Sequence, residues 1–140
     1  MIQKQATIAV AIVRNEKGEV LLAQRRQPDT PEIHGKWEFV GGGVDFGEDP
    51  IDSIKREARE EIGVEVEVVR LLPKVISDMQ KFDNGDELQV LVLSYECKII
   101  SGIPKSTDAE VGEVKFFPLD KIPKLDAFQN IYETIELLKT

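Results

Sequence analysis

The sequence predicts an α/β fold in which a β-sheet is covered by helices. Several apolar runs rich in β-branched residues are typical of strands, and two other segments have helical periodicity. A chain of 140 residues suits one compact domain, and 41% hydrophobic residues are enough to fill its core. This composition argues against an intrinsically disordered chain.

The N-terminal third predicts three strands. Residues 7–13 and 20–23 are apolar runs separated by a polar Asn-Glu-Lys-Gly stretch, which predicts a β-hairpin. Residues 37–40 predict a short strand that continues into Gly41-Gly42-Gly43. Such a run of glycines indicates a position where the backbone approaches another group closely.

A helix is predicted over residues 50–62. Asp49 is a favourable N-cap, Pro50 suits the first helical position, and Gly63 suits the residue after the last turn. The helix is therefore bounded at both ends by residues that favour its start and its stop.

The C-terminal half predicts three more strands and a final helix. Residues 64–76 and 88–100 are long strand-like runs, separated by an Asp-Asn-Gly-Asp turn at 83–86. Residues 114–117 form a short strand, and residues 127–138 carry apolar side chains at helical spacing. Strands and helices thus mix along the whole chain, as in a sheet covered by helices.

The net charge of -8, without any run of Lys or Arg, makes DNA and long RNA poor partners. An acidic protein can still bind a small polyanion when divalent cations lie between its carboxylates and the phosphates. Cys97 is the only cysteine, and no apolar run reaches the roughly 18 residues of a membrane span. The N-terminus lacks a signal-peptide pattern, so no membrane contact and a cytoplasmic location are expected.

The predicted helix separates its acidic residues from its apolar stripe. At about 100° per residue, three carboxylates fall together on one flank: Glu57, Glu60 and Glu61. Carboxylates three and four residues apart repel one another unless something neutralises them, and oxygen ligands of this kind suit Mg²⁺ or Mn²⁺. The alternative is a solvated helix with weak ion pairs, such as Arg56 with Glu60.

The helix and the residues before it share one spacing, Gly42-x5-Glu48-x7-Arg56-Glu57-Ala58-x-Glu60-Glu61-x-Gly63-Val64. It resembles the signature box of the Nudix hydrolases at every fixed position. Residues 35–39, Gly-Lys-Trp-Glu-Phe, resemble the approach to that box in the MutT-type branch, although Val40 stands where the family usually has proline. The resemblance implies a Nudix-type α/β/α sandwich with a mixed β-sheet, formed by residues 1–140 as a single domain.

Nudix enzymes hydrolyse a nucleoside diphosphate linked to another moiety, with a divalent cation at the pyrophosphate. The resemblance implies Mg²⁺ or Mn²⁺ as the cofactor, with four ligands from the box: the Gly42 carbonyl, Glu57, Glu60 and Glu61. Which glutamate accepts the proton of the attacking water varies within the family, and Glu57 is the preferred candidate here.

Two further acids and one arginine are implied by the same resemblance. Arg56 would orient a box glutamate and pair with Glu48. Many members add an acid from a loop a short distance before the aromatic residue of a late strand, and counting back from Phe116 reaches Glu110. The alternative for Glu110 is an ordinary solvated loop residue.

The substrate is less well determined, because residues outside the box select it. Gln80 stands where the ADP-ribose branch has proline, and Lys81 and Phe82 stand where the diadenosine polyphosphate branch has tyrosine. These absences favour a nucleoside triphosphate, oxidised or deoxy purines included, that gives a nucleoside monophosphate and pyrophosphate. The alternatives are hydrolysis of ADP-ribose or another nucleoside diphosphate derivative, and a nucleotide sensor, although sensors usually lose box glutamates.

Several residues are candidate substrate contacts, each with a simpler alternative. Trp37 and Phe39 point to the same face of their strand and would pack beside a base or in the core. Arg25 and Arg26 are candidates for the terminal phosphates, whereas His34 is expected to be solvated. The segment 78–87 would line the base pocket or simply connect two strands. The expected partner is a small nucleotide, bound by a monomer or homodimer.

Overall fold

The computed structural model describes residues 1–139, and within them the order of elements is the mixed α/β order predicted. A 3-10 helix, Leu119–Lys124, precedes the last helix. The other elements are strands and α-helices: β1 Gln3–Val13, β2 Val20–Arg25, β3 Trp37–Glu38, β4 Val40–Gly43, α1 Pro50–Ile62, β5 Glu65–Leu71, β6 Ile76–Lys81, β7 Glu87–Ser101, β8 Val111–Phe117 and α2 Gln129–Leu138.

The strands form two sheets. The larger has the order β4-β1-β7-β5, with β6 also paired to β7, and the smaller has the order β3-β2-β8. β1 and β7 are parallel, whereas all the other paired strands are antiparallel. The prediction of a mixed sheet is therefore confirmed.

The two faces of β1 pack against different helices, since side chains alternate along a strand. Val10 and Ile12 share a core with Ile131 and Ile135 of α2. Ala9, Ala11 and Val13 share another core with three residues of the α1 stripe: Ile54, Ala58 and Ile62. The sheet layer thus lies between α1 and α2, as in the predicted α/β/α sandwich.

α1 has the bounds and the caps that its sequence predicts. The Asp49 side chain accepts a hydrogen bond of 2.8 Å from the Ile51 N–H, and Gly63 ends the helix in the left-handed conformation, at φ 69°. Its stripe is fully buried, and burial of each isoleucine contributes about 1.5–3 kcal/mol. The helix is consequently held rigidly against the sheet.

The predicted hairpin between residues 7–13 and 20–23 is wrong. β1 and β2 belong to different sheets and share a single bridge, between Arg14 and Val20. β1 pairs instead with β7, more than eighty residues later in the sequence. Continuous apolar runs are buried on both faces, and such runs do not reveal which strand lies beside them.

Two other predicted strands are divided. Residues 37–40 break at Phe39, so that β3 lies in the smaller sheet and β4 in the larger one. Residues 64–76 end as a strand at Leu71, before Pro73, which lacks the N–H that a ladder needs. Of the predicted loop 78–87, residues 78–81 are the second part of β6, residues 82–86 form the turn, and Glu87 begins β7.

Within the described residues, none of the helices is both long enough and apolar enough to cross a membrane. The final helix begins at Gln129, two residues later than predicted, and β8 begins at Val111, three residues earlier. These shifts leave the layers unchanged.

Candidate active site

The glycines of β4 allow α1 to approach the sheet edge. A Cβ on Gly42 would lie 2.7 Å from Glu57 Oε1, and a Cβ on Gly41 would lie 2.3 Å from the Ala9 carbonyl oxygen. Both distances are too short for a side chain. Val40, which replaces the usual proline, is fully buried next to them. The glycines therefore make room for the Glu57 carboxylate and for the backbone of β1.

Glu57 and Glu61 form a hydrogen-bonded carboxyl pair on this side of α1, and the Gly41 N–H donates to Glu61. Burial, the hydrogen bond to Glu57 and the negative charges of Glu57 and Glu38 together raise the pKa of Glu61 well above its ordinary value. The Glu57 side chain is only 14% exposed. Two carboxyl groups this close cannot both ionise at low cost, so the pair either keeps a proton or binds a cation.

Arg56 joins several of the acids around this pair. Its Nε and NH2 groups donate to the two carboxylate oxygens of Glu48 at 2.9 and 3.1 Å. Its NH1 group donates to Glu57 at 2.9 Å and to Glu60 at 3.3 Å. The hydrogen bond from Arg56 lowers the pKa of Glu48. Arg56 thus fixes the orientation of Glu57 and links α1 to the loop before it.

Glu38 is a site residue that the sequence analysis missed. Its side chain is 24% exposed, it accepts a hydrogen bond of 3.0 Å from Arg25 NH2, and it lies close enough to Glu61 to affect its charge. Burial raises the pKa of Glu38, although the charge and hydrogen bond of Arg25 oppose this. Alternation predicts this position, because Glu38 must point away from the face that Trp37 and Phe39 share.

Glu110 extends a row of charged side chains that runs from Glu61 through Glu38 and Arg25. Its carboxylate is 3.7 Å from Arg25 NH1 and is 67% exposed, and its negative charge acts on Glu38. The Arg26 N–H donates to the Glu110 carbonyl at 2.7 Å, which ties the loop before β8 to β2. The structure therefore brings Glu110 to the Arg25–Glu38 pair, beside the carboxyl pair of α1.

Trp37 and Phe39 occupy the core. Both are buried in the cluster that contains α2, and the Trp37 ring packs edge to face on Phe117, with centroids 4.9 Å apart. They share one face of the strand as predicted. Their burial fits the core-packing alternative, because neither ring is exposed to an incoming base.

A distant loop caps the C-terminal end of α1. The Thr107 N–H donates to the Glu61 carbonyl at 3.0 Å, and the Thr107 hydroxyl donates to the Glu60 carbonyl at 2.7 Å. The Lys105 N–H donates to the Ile62 carbonyl at 3.1 Å. The last carbonyls of a helix have no partner within the helix, so this loop satisfies them and supports the turn that carries two acids.

We expect Thr107→Val to lower the free energy of unfolding by about 1 kcal/mol, because it removes the hydroxyl and keeps the shape. Thr107→Ser retains the hydroxyl and should remain close to the wild type. Urea unfolding followed by circular dichroism measures both variants. Equal stability of the valine and serine variants would show that the hydroxyl does not support α1.

The acids of α1 are of the type that binds a divalent cation, although their carboxylates do not converge on one position in this structure. Among residues 1–139, no three His, Cys, Asp or Glu side chains converge into a ready-made metal site. Glu57 and Glu60 instead accept hydrogen bonds from Arg56, and Glu61 hydrogen-bonds to Glu57. A hard cation would relieve the repulsion within the Glu57–Glu61 pair and prefers oxygen ligands of this kind. The residues present therefore fit Mg²⁺ or Mn²⁺.

The comparisons with known proteins agree with this fold and site. The NUDIX domain model matches residues 4–138. The α/β/α layers and the acidic helix beside a glycine strand therefore define a Nudix hydrolase, and the chain belongs to the Nudix family.

Similar proteins include MutT-like hydrolases. An 8-oxo-dGTP diphosphatase of Escherichia coli strain K12 is 38% identical over 72 residues, which is 51% of this chain and 54% of that protein. The nucleoside triphosphatase NudI of Escherichia fergusonii is 31% identical over 99 residues, 67% of this chain and 69% of that protein. The crystal structure of a MutT NUDIX hydrolase from Burkholderia pseudomallei has a TM-score of 0.76 and 26% identity, covering 95% of this chain and 97% of that one.

Proposed function

We propose that this Nudix hydrolase cleaves nucleoside triphosphates, deoxynucleotides included, to a nucleoside monophosphate and pyrophosphate. The observation that carries the proposal is the half-buried Glu57–Glu61 carboxyl pair beside Gly41 and Gly42. The names of the relatives support the substrate class, since they include an 8-oxo-dGTP diphosphatase and a nucleoside triphosphatase. An oxidised purine triphosphate is accordingly one of the substrates to test.

The proposed ligands of Mg²⁺ or Mn²⁺ are the carboxylates of α1 together with one carbonyl and one loop acid: Glu57, Glu60, Glu61, the Gly42 carbonyl and Glu110. When bound, the cation neutralises phosphate charge and acidifies the attacking water. Arg56 keeps Glu57 oriented through the hydrogen bond at 2.9 Å and is itself held by Glu48. Glu57 is the preferred acceptor of the water proton, because it has this fixed orientation.

Arg25 is the proposed contact to the substrate phosphates. Its guanidinium lies between Glu38 and Glu110, and its Nε is buried without a hydrogen-bond partner among the described residues. The Arg25 side chain is 29% exposed, and an arginine fork matches the oxygens of a phosphoryl group in geometry as well as in charge. Trp37 and Phe39 would then shape the site from the core without touching the base.

The test is release of pyrophosphate and phosphate from a panel of substrates. The panel contains ordinary nucleoside triphosphates, oxidised dGTP, ADP-ribose, NADH and diadenosine polyphosphates, each with Mg²⁺, with Mn²⁺ and with a chelator. We expect pyrophosphate from a triphosphate, and at least about a hundredfold loss in the chelator. Turnover of ADP-ribose alone, or full activity in the chelator, would contradict the proposal.

The cellular setting is also part of the proposal. We infer a cytoplasmic location, since Cys97 is the only cysteine of the sequence and the fold therefore uses no internal disulfide. A monomer or homodimer remains the expected state, and light scattering of the purified protein measures it.

A further inference from the structure

The outer edge of the larger sheet is open along β6. Within residues 1–139, β7 is the only strand that pairs with β6, and five of the six β6 residues are exposed. The Phe82 N–H donates to the Asp86 carbonyl at 2.9 Å, at the end of this ladder. Bonded and non-bonded pairs alternate along an antiparallel ladder, so the N–H and C=O groups of Ser77, Met79 and Lys81 point away from β7. The chain thus leaves a row of backbone groups without a neighbouring strand.

β6 is the flat part of this edge. Bulges and prolines commonly protect an edge strand from pairing with another chain. β5, which lies on the same side of β7, has register shifts between Glu65 and Val66 and between Val68 and Arg70. β6 pairs in unbroken register over Ile76–Lys81 and contains no proline. β6 is therefore the segment of the edge best suited to accept another strand.

Apolar side chains are exposed along the same strand. Met79 is 52% exposed, Phe82 at the end of β6 is 51% exposed, and Val75 just before β6 is 48% exposed. Single exposed apolar residues are common on protein surfaces, whereas several that lie together indicate an interaction site. Exposed apolar surface and unpaired backbone coincide here, as in a strand that pairs with another chain.

The sequence of β6 restricts how it can pair with a second copy of itself. Outward-pointing groups must meet outward-pointing groups, so the two-fold axis of an antiparallel pair passes through a residue. An axis at Asp78 would place two carboxylates opposite each other, and an axis at Gln80 would place Asp78 opposite Phe82. An axis nearer either end would extend the pairing into Pro73 or into the turn after Phe82. One central position remains.

The register with the axis at Met79 has none of these conflicts. Its cross-strand pairs are Met79 with Met79, Ser77 with Lys81, Asp78 with Gln80 and Ile76 with Phe82. Apolar residues then meet apolar residues, and no two like charges lie opposite each other. Asp78 and Lys81 also leave β6 without net charge, so the two strands approach without repulsion, although the whole chain carries -8.

We propose that β6 pairs antiparallel with β6 of a second copy of this chain, around a two-fold axis at Met79. Each copy contributes a five-stranded sheet, and the two join into one continuous sheet. The partner is a second copy because β6 is complementary to its own sequence. The pairing supplies about six backbone hydrogen bonds and covers the exposed Met79 and Phe82 side chains. It is independent of the reaction that the chain catalyses.

The first experiment is sedimentation velocity of the full-length protein over a dilution series. One pair of strands buries little surface, so we expect a dimer at about 100 µM that dissociates near 1 µM, by roughly equal steps of dilution. At the higher concentration the wild type should have twice the 15.8 kDa mass of one chain.

Met79→Asp should remain a monomer at the higher concentration, because two carboxylates would meet at the axis. The matched control is Ile103→Asp, the same kind of change at an exposed apolar residue in the loop after β7. It should dimerise like the wild type. Circular dichroism of both variants shows whether the fold is retained.

The second experiment tests the register by disulfide formation with oxidised glutathione. In a hydrogen-bonded antiparallel pair the two Cα atoms lie about 5.5 Å apart, a distance that a disulfide spans. Met79→Cys should therefore give a covalent dimer on a non-reducing gel. In Gln80→Cys the two cysteines would lie about 8 Å apart, beyond disulfide range, so this variant should remain monomeric on the gel. Cys97 is buried and does not compete.

Two results would overturn the proposal in solution: a monomer at every concentration, or a dimer that Met79→Asp retains. Preferential cross-linking of Gln80→Cys would also overturn it, because the axis would then lie at another residue. Loss of the dimer in Met79→Asp but not in Ile103→Asp, together with the disulfide at residue 79, supports it.

Discussion

Glu57→Gln and Glu61→Gln are each expected to lower kcat by about 10²-fold or more, with the fold intact. Both side chains lie outside the apolar stripe of α1, which Ile54, Ala58 and Ile62 form. Glutamine keeps the size and most hydrogen bonds of glutamate, but it cannot supply the negative charge that a divalent cation requires. The measurement is pyrophosphate release at saturating triphosphate and Mg²⁺.

The matched control for this loss is Glu16→Gln, the same substitution at an exposed position in the turn between β1 and β2. It changes the net charge by the same amount and should retain wild-type kcat. Circular dichroism of all three variants separates a chemical loss from unfolding. Near wild-type turnover in either α1 variant would show that the box acids do not carry the reaction.

In the metal-free protein, the same Glu61→Gln change is expected to increase stability. The pKa of Glu61 is raised by burial, by the hydrogen bond to Glu57 and by nearby negative charge. A glutamate of the unfolded chain releases its proton near pH 4.3, whereas the folded protein retains it up to the raised pKa. Over that interval the folded state binds more protons, so stability falls as the pH rises.

Glutamine resembles the protonated form of Glu61 at every pH. The free energy of unfolding of the variant therefore does not fall with rising pH on account of this residue. In EDTA at pH 8, we expect Glu61→Gln to melt about 5 °C above the wild type, and the difference to vanish near pH 4. Added Mg²⁺ should reverse the order, because a ligand stabilises only the protein that binds it. A variant less stable than the wild type in EDTA at pH 8 would contradict the raised pKa of Glu61 in the folded protein.

The contrast between α1 and the hairpin explains which parts of the fold are readable in the sequence. The sequence predicts α1 with its observed bounds because the signals are local: Asp49, Pro50 and Gly63 act within one turn of each end. The hairpin of residues 7–13 and 20–23 was wrong because strand partners are chosen by contacts between distant segments. The parallel pairing of β1 with β7 places Gln3 beside Glu87, and no sequence feature near Gln3 predicts this partner.

The site shows the same division. The spacing of the box identifies the acids of α1. It does not identify Glu38 as a site residue, because the role of Glu38 depends on its contact with Arg25 and its closeness to Glu61. Arg25 comes from β2 and Glu110 from the loop before β8, and only the fold brings them to Glu38. Thr107 supports α1 from more than forty residues away, through backbone carbonyls that carry no sequence signal.

The sequence by itself determined the α/β class, the helix that carries Glu57, Glu60 and Glu61, and the family. These follow from periodicity, capping and spacing, which act over a few residues along the chain. The tertiary structure alone decided the partners of each strand, the burial of Trp37 and Phe39, and the row of charges from Glu61 to Glu110. Those depend on long-range packing, where the side chains that meet are set by the whole fold.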